Sequence, residues 1–167
     1  MSDHVAALER RLGVLEDKEA VRALLLRGWR ALDRGDWGAW SACWAGDAVL
    51  EFGPWGEIRG REAIRARVEE AESPYAAMQH HILNLHVEVE VEVEVDGGAA
   101  GDRASGFGYM WFVAVGGPAP AAVAAPYAMG GPYAWEFRRD PGRGWLVARQ
   151  RLGVQWTHGA DPLRAFE

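Results

Sequence analysis

Between Leu85 and Val95 the valines at positions 87, 89, 91, 93 and 95 alternate strictly with the glutamates at 88, 90, 92 and 94. A period of two puts all the valines on one face and all the carboxylates on the other, which is a strand with one wet face. A strand of this kind needs antiparallel neighbours and an apolar cover on one side only. The downstream sequence supplies the neighbours. Asp96 to Asp102 is a Gly-rich hairpin turn, Arg103 to Val115 reads as a second strand and Tyr127 to Arg139 as a third. Asp140-Pro141-Gly142 makes a tight connection to a fourth, Gly144 to Trp156. The Pro- and Ala-rich stretch Gly116 to Ala125 is too long for a simple hairpin and reads as a lid over a site.

Upstream of Ser73-Pro74 the spacing is helical. Val5, Leu8, Leu12 and Leu15 recur three and four apart, and a second helix starting after Asp17 as cap carries Val21, Leu24, Leu25, Trp29 and Leu32. Arg34-Gly35-Asp36 ends it, and Asp36 caps a third, short helix with Trp37, Trp40 and Trp44 on one side. Ala48 to Phe52 then reads as a short strand, Gly53-Pro54-Trp55-Gly56 as a turn, and Arg61 to Ala71 as a helix with Ile64 and Val68 facing inward. Helices first and an antiparallel sheet afterwards predict an α+β domain in which the curved sheet wraps around the N-terminal helices.

At 167 residues the chain fits one domain, residues 1–167. No apolar run is long enough to cross a bilayer, and the opening MSDHVAALERR lacks a signal-peptide core. A net charge of -6 without a basic stripe argues against nucleic acid as a partner. The single cysteine, Cys43, excludes an internal disulfide and a Cys-based zinc site, so the expected location is the cytoplasm. Nine tryptophans need either a large core or an aromatic-lined cavity.

Asp33 breaks a local rule. It lies four residues after Trp29, eight after Leu25 and twelve after Val21, so it continues the apolar stripe at the helix end where the macrodipole disfavours an anion. Either the helix has frayed and Asp33 is a solvated turn residue, or it points inward and has a partner or a task. The segment Met78 to His86 contains His80, His81 and His86, three of the five histidines. They are surface or core residues, or one of them is a base. Metal binding is disfavoured, because His80 and His86 lie about 20 Å apart along an extended strand. The glutamate ladder reads as a solvated face paired with Arg149 and Arg151. Tyr109, Trp111, Tyr133, Trp135, Trp145 and Trp156 line a pocket or pack a core.

Taken in order, the stretches LEDKEAVRALL, ALDRGDWGAW, GDAVLEF, GEIRGREAI, MQHHILN and GGPYAWEF to GWLVARQRLGVQW resemble the SnoaL-like group of the nuclear transport factor 2-like superfamily. The resemblance covers most of the chain. It implies a cone-shaped α+β barrel with a deep apolar pocket between sheet and helices. Members include polyketide cyclases, ketosteroid isomerases, scytalone dehydratase and hexachlorocyclohexane dehydrochlorinase. The last two pair an Asp near the end of the long helix with a His at the start of the first long strand, and Asp33 and His80 match those positions. The two tyrosines that hold a water in scytalone dehydratase are replaced here by Leu32 and Phe52, so that step does not carry over. Strict alternation back from Val87 would turn His81 rather than His80 to the valine face. A bulge near Asn84, or a cavity formed by the other face, would restore His80.

The resulting expectation is a cofactor-independent lyase of dehydratase type. Neutral His80 abstracts a proton from carbon, Asp33 fixes its tautomer, and the substrate is a small, hydrophobic, ring-containing molecule. The expected substrate-binding set is Trp29, Trp44, Phe52, His81, Asn84, Tyr109, Trp111, Tyr133 and Trp135, with no metal. The alternatives are a polyketide cyclase or ketosteroid-isomerase-like enzyme with Asp33 as proton shuttle, and a non-catalytic ligand-binding or assembly module. The resemblance also implies a homo-oligomer, dimer or trimer, packed through the sheet.

Overall fold

The structure, a computed structural model, describes residues 3–90, 101–116, 126–161, 164 and 166. The elements are α1 (Asp3–Leu32), α2 (Trp37–Ser41), β1 (Trp44–Phe52), β2 (Gly56–Arg59), α3 (Arg61–Glu72), β3 (Ala77–Val89), β4 (Arg103–Val115), β5 (Tyr127–Asp140), β6 (Gly144–Leu152) and β7 (Trp156–His158). This is the α+β architecture that the change of period predicts. Glu92, Glu94, the 96–100 turn and residues 117–125 of the suggested lid lie outside the described residues.

Two helices were expected before Arg34, and there is one. Nothing between Leu15 and Lys18 breaks a helix, so the chain runs through; Asp17 does not cap but bonds the Arg139 guanidinium and accepts from Trp145 Nε1 at 3.1 Å. The second half of α1 buries Val21, Leu24, Leu25, Trp29 and Leu32 on the sheet, whereas Val5, Leu8, Leu12 and Leu15 remain exposed. Trp44 is not on the short helix. It starts β1, fully buried, and β2 pairs with the end of β1 as an element the sequence reading did not separate from the turn.

The sheet runs β2-β1-β6-β5-β4-β3, with β7 on β5. It is mixed rather than wholly antiparallel, because β1 and β6 are parallel neighbours. Its edge strands β2 and β3 do not meet, so the sheet curves without closing into a barrel. The fourth predicted strand breaks at Gly153. Gly153 N–H donates to the Pro132 carbonyl and Gln155 N–H to that of Gly130, which folds β7 back against β5. Since β6 sits between β1 and β5, Arg149 and Arg151 do not reach the β3 glutamates; both pair with Glu51 instead.

The concave face contributes Phe112, Tyr133, Trp135 and Phe137 to one core with the buried side of α1. Tyr133 and Trp135 stack at 4.6 Å and Trp29 meets each edge-on at 6.1 Å, which holds the end of α1 over the sheet.

Candidate active site

Asp33 directly follows the last residue of α1, in a turn that is ordered rather than frayed. Its N–H still donates to the Trp29 carbonyl at 3.0 Å, and the helix closes beyond it through Gly35 N–H to Leu32 and Asp36 N–H to Ala31. This is a Schellman closure, and Gly35 takes the φ of +69° that it requires. The stripe therefore carries Asp33 to the inner side.

On β3 the sheet register shifts between Leu83 and His86, and Asn84 has a φ of +52°. This bulge moves the alternation by one residue. His80 and Val87 both turn inward, whereas His81 faces out and its Nδ1 contacts the Trp111 carbonyl at 3.1 Å. The His80 side chain is 5% exposed. Its Nδ1–H and its backbone N–H both donate to Asp33 Oδ1, at 2.7 and 2.9 Å. Two donors on one carboxylate oxygen fix the ring and leave Nε2 as the proton-exchanging nitrogen.

Nε2 faces a second carboxylate, Glu72 Oε1, at 3.5 Å. Burial by itself would lower the His80 pKa. The Glu72 charge and the hydrogen bonds to Asp33 and Glu72 outweigh it, and the pKa is pushed up to about 9. The largest upward push comes from the charge of Glu72, which the sequence reading did not include. At neutral pH the ring rests as an imidazolium between two carboxylates.

His80 and Glu72 line a cavity of about 40 Å³ that also touches Trp29, Leu32, Phe52 and Tyr133. Asp33 is behind His80, outside the lining. Trp29 Nε1 donates to the Tyr133 hydroxyl at 3.3 Å, and burial raises the Tyr133 pKa. Of the expected pocket residues, Trp29, Phe52 and Tyr133 meet here. Trp135 and Trp44 are core residues behind the wall, Trp135 donating to Gln150 Oε1 at 2.9 Å. His81, Asn84, Tyr109 and Trp111 lie on the outer face, because inward and outward positions alternate along β3 and β4. Among the described residues, no group of three or more His, Cys, Asp or Glu is arranged to hold a metal ion.

Phe166, absent from the sequence reading, lines the cavity. Its ring stacks within 18° of Trp55, Tyr75 and Tyr127 and meets Phe52 and Phe112 edge-on. Asp161 holds the arrangement, accepting from Tyr75 O–H at 2.6 Å and from Phe166 N–H at 3.1 Å. A benzene-sized ring needs about 150 Å³, well above the present space. Phe166→Ala is expected to bind toluene at least tenfold tighter than the unchanged protein, read from tryptophan fluorescence. Equal binding would mean that Phe166 is not the barrier.

A model of the SnoaL-like domain matches residues 13–151. A protein of nuclear transport factor 2-like type with a cystatin-like fold, from Novosphingobium aromaticivorans, is 25% identical with a TM-score of 0.69, covering 99% of this chain and 98% of that one. A scytalone dehydratase candidate from the same species is 15% identical with a TM-score of 0.70, covering 89% and 90%. A type 2 hexachlorocyclohexane dehydrochlorinase is 20% identical with a TM-score of 0.69, covering 91% and 98%. None of the curated proteins matches the sequence. The model match over residues 13–151, on a fold shared with these structures, makes the chain a member of the SnoaL-like domain family.

Proposed function

We propose that this protein is a lyase that eliminates a small group from a hydrophobic, ring-containing substrate, with His80 as base and Asp33 as its orienting anion. The observation that carries this reading is the 2.7 Å contact between His80 Nδ1 and Asp33 Oδ1 beside an apolar cavity that His80 itself lines. Asp33 holds the ring and stabilises the imidazolium that forms when Nε2 takes a proton from carbon. The resting imidazolium must first lose its own proton, so the base is strongest above a pH of about 9. The cavity walls orient the substrate and keep water out. The fold is shared with a dehydratase candidate and a dehydrochlorinase, which agrees with elimination. The rival in which Asp33 shuttles the proton is disfavoured because Asp33 does not border the cavity.

The test is a panel of cyclic β-hydroxy and β-halo compounds, with the alkene product followed. Turnover by the wild type that disappears in His80→Ala supports the reading; turnover that survives overturns it. A second reading, a non-catalytic binding module, is favoured by the small volume left beside Phe166. It gains if ring compounds bind and none reacts.

The reading includes self-association through the outer sheet face. Leu83, Phe107, Tyr109, Trp111 and Trp156 are all more than 40% exposed or at that value, an apolar patch that a second copy would cover. Light scattering is expected to give a multiple of the 18.4 kDa chain mass, and a monomer mass would refute the assembly.

A further inference from the structure

Glu72 is the last residue of α3 and is 5% exposed. It lies four residues after Val68 and eight after Ile64, both buried, and so continues their stripe into the cavity. Its Oε1 approaches His80, but its Oε2 is buried with no hydrogen-bond partner among the described residues. A second lining group is in the same condition: Trp40 Nε1 is a buried donor without an acceptor. Leaving such groups unmade is costly in an apolar surrounding, and a ligand that satisfies them recovers that cost.

We infer that Glu72 is a specificity-determining residue of this cavity, selecting a neutral ligand that carries a hydroxyl over one that carries a halogen at the same place. A hydroxyl donates to Oε2 and keeps lone pairs for an N–H such as that of Trp40. A halogen offers no donor and sets an electron-rich atom against a carboxylate. No lysine or arginine lines the cavity to attract it. A cationic donor is disfavoured as well, since the imidazolium of His80 lies against the same carboxylate. Sites that hydrogen-bond a hydroxyl discriminate strongly against analogues lacking it, because their own polar groups are left unpaired. The inference rests on the cavity being the ligand site proposed above, and not on elimination being its reaction.

The probes are cyclohexanol and chlorocyclohexane, which differ only at the polar atom, titrated by tryptophan fluorescence into the wild type and into Phe166→Ala, where size no longer limits entry. Cyclohexanol is expected to bind at least tenfold tighter than the chloride. Adding Glu72→Met, an apolar side chain of similar length that relieves a buried charge, is expected to bring the ratio near one, while Glu72→Gln, which keeps an acceptor oxygen, retains part of it. A ratio near one before Glu72 is changed, or a ratio untouched by Glu72→Met, overturns the role of Glu72 but leaves the cavity as a ligand site. If neither probe binds even to Phe166→Ala, both fall. If the alcohol preference depends on Glu72 while no compound is eliminated, elimination falls and the Glu72 assignment stands.

Discussion

His80→Ala is expected to lower turnover by about a hundredfold to ten-thousandfold, the usual contribution of a positioned base, with little change in fold. Asp33→Asn should lower turnover at every pH, by a comparable factor above about pH 9 and by less below it, where loss of the anion leaves more of the ring neutral. The amide neither favours the imidazolium nor accepts from Nδ1–H and the His80 N–H as an anion does, so the ring loses both its charge partner and its fixed tautomer. His81→Ala is the control, because that ring lies on the outer face and its loss should be mild. For the wild type, kcat/KM should climb as pH rises through about 9, where His80 becomes neutral. A profile flat from pH 5 to 10 with chemistry rate-limiting, or near-normal turnover in His80→Ala, would refute His80 as the base.

The second large effect is on stability. The folded pKa of His80, about 9, is above the unfolded value near 6.5, so the folded state holds this proton more tightly than the unfolded chain. The stabilisation is fully present below about pH 6.5 and is lost as pH rises through about 9. A gap of this size is worth about 3 kcal/mol. Urea denaturation of the wild type and of His80→Gln at pH 6 and pH 10 isolates the contribution: the difference between the two proteins should shrink by about that amount at the higher pH. A difference independent of pH would mean that the two carboxylates do not hold His80 as a cation. Titrating the ring by NMR in Glu72→Gln gives the same answer by another route, with the pKa falling toward the ordinary range once the Glu72 charge is gone.

Asp33 and Glu72 follow one rule, although only Asp33 was recognised from the sequence. Both are carboxylates at the end of a helix, each four residues after a buried apolar side chain, Trp29 for Asp33 and Val68 for Glu72. The helix predicted over Arg61 to Ala71 stopped one residue short of Glu72, and helix ends are set by backbone bonds that spacing does not reveal. His80 needed a different kind of information. Strict alternation favoured His81, the resemblance favoured His80 with a bulge near Asn84 as one way to reconcile them, and the structure has that bulge. A bulge is a response to partner strands, so periodicity along one strand could suggest it without establishing it.

What the sequence determined by itself was local. The helical and two-residue periods specified the α+β class, the boundaries of β4 and the inward faces of α3 and of the second half of α1, since each follows from spacing along a single element. Tertiary structure decided the rest. The parallel pairing of β1 with β6, the retreat of Tyr109 and Trp111 to the outer face, and the lining of the cavity by Phe166 join residues tens of positions apart. The charge on His80 was decided the same way. It draws on an anion from α3 meeting an imidazole from β3 at 3.5 Å, a distance that no spacing along the chain contains.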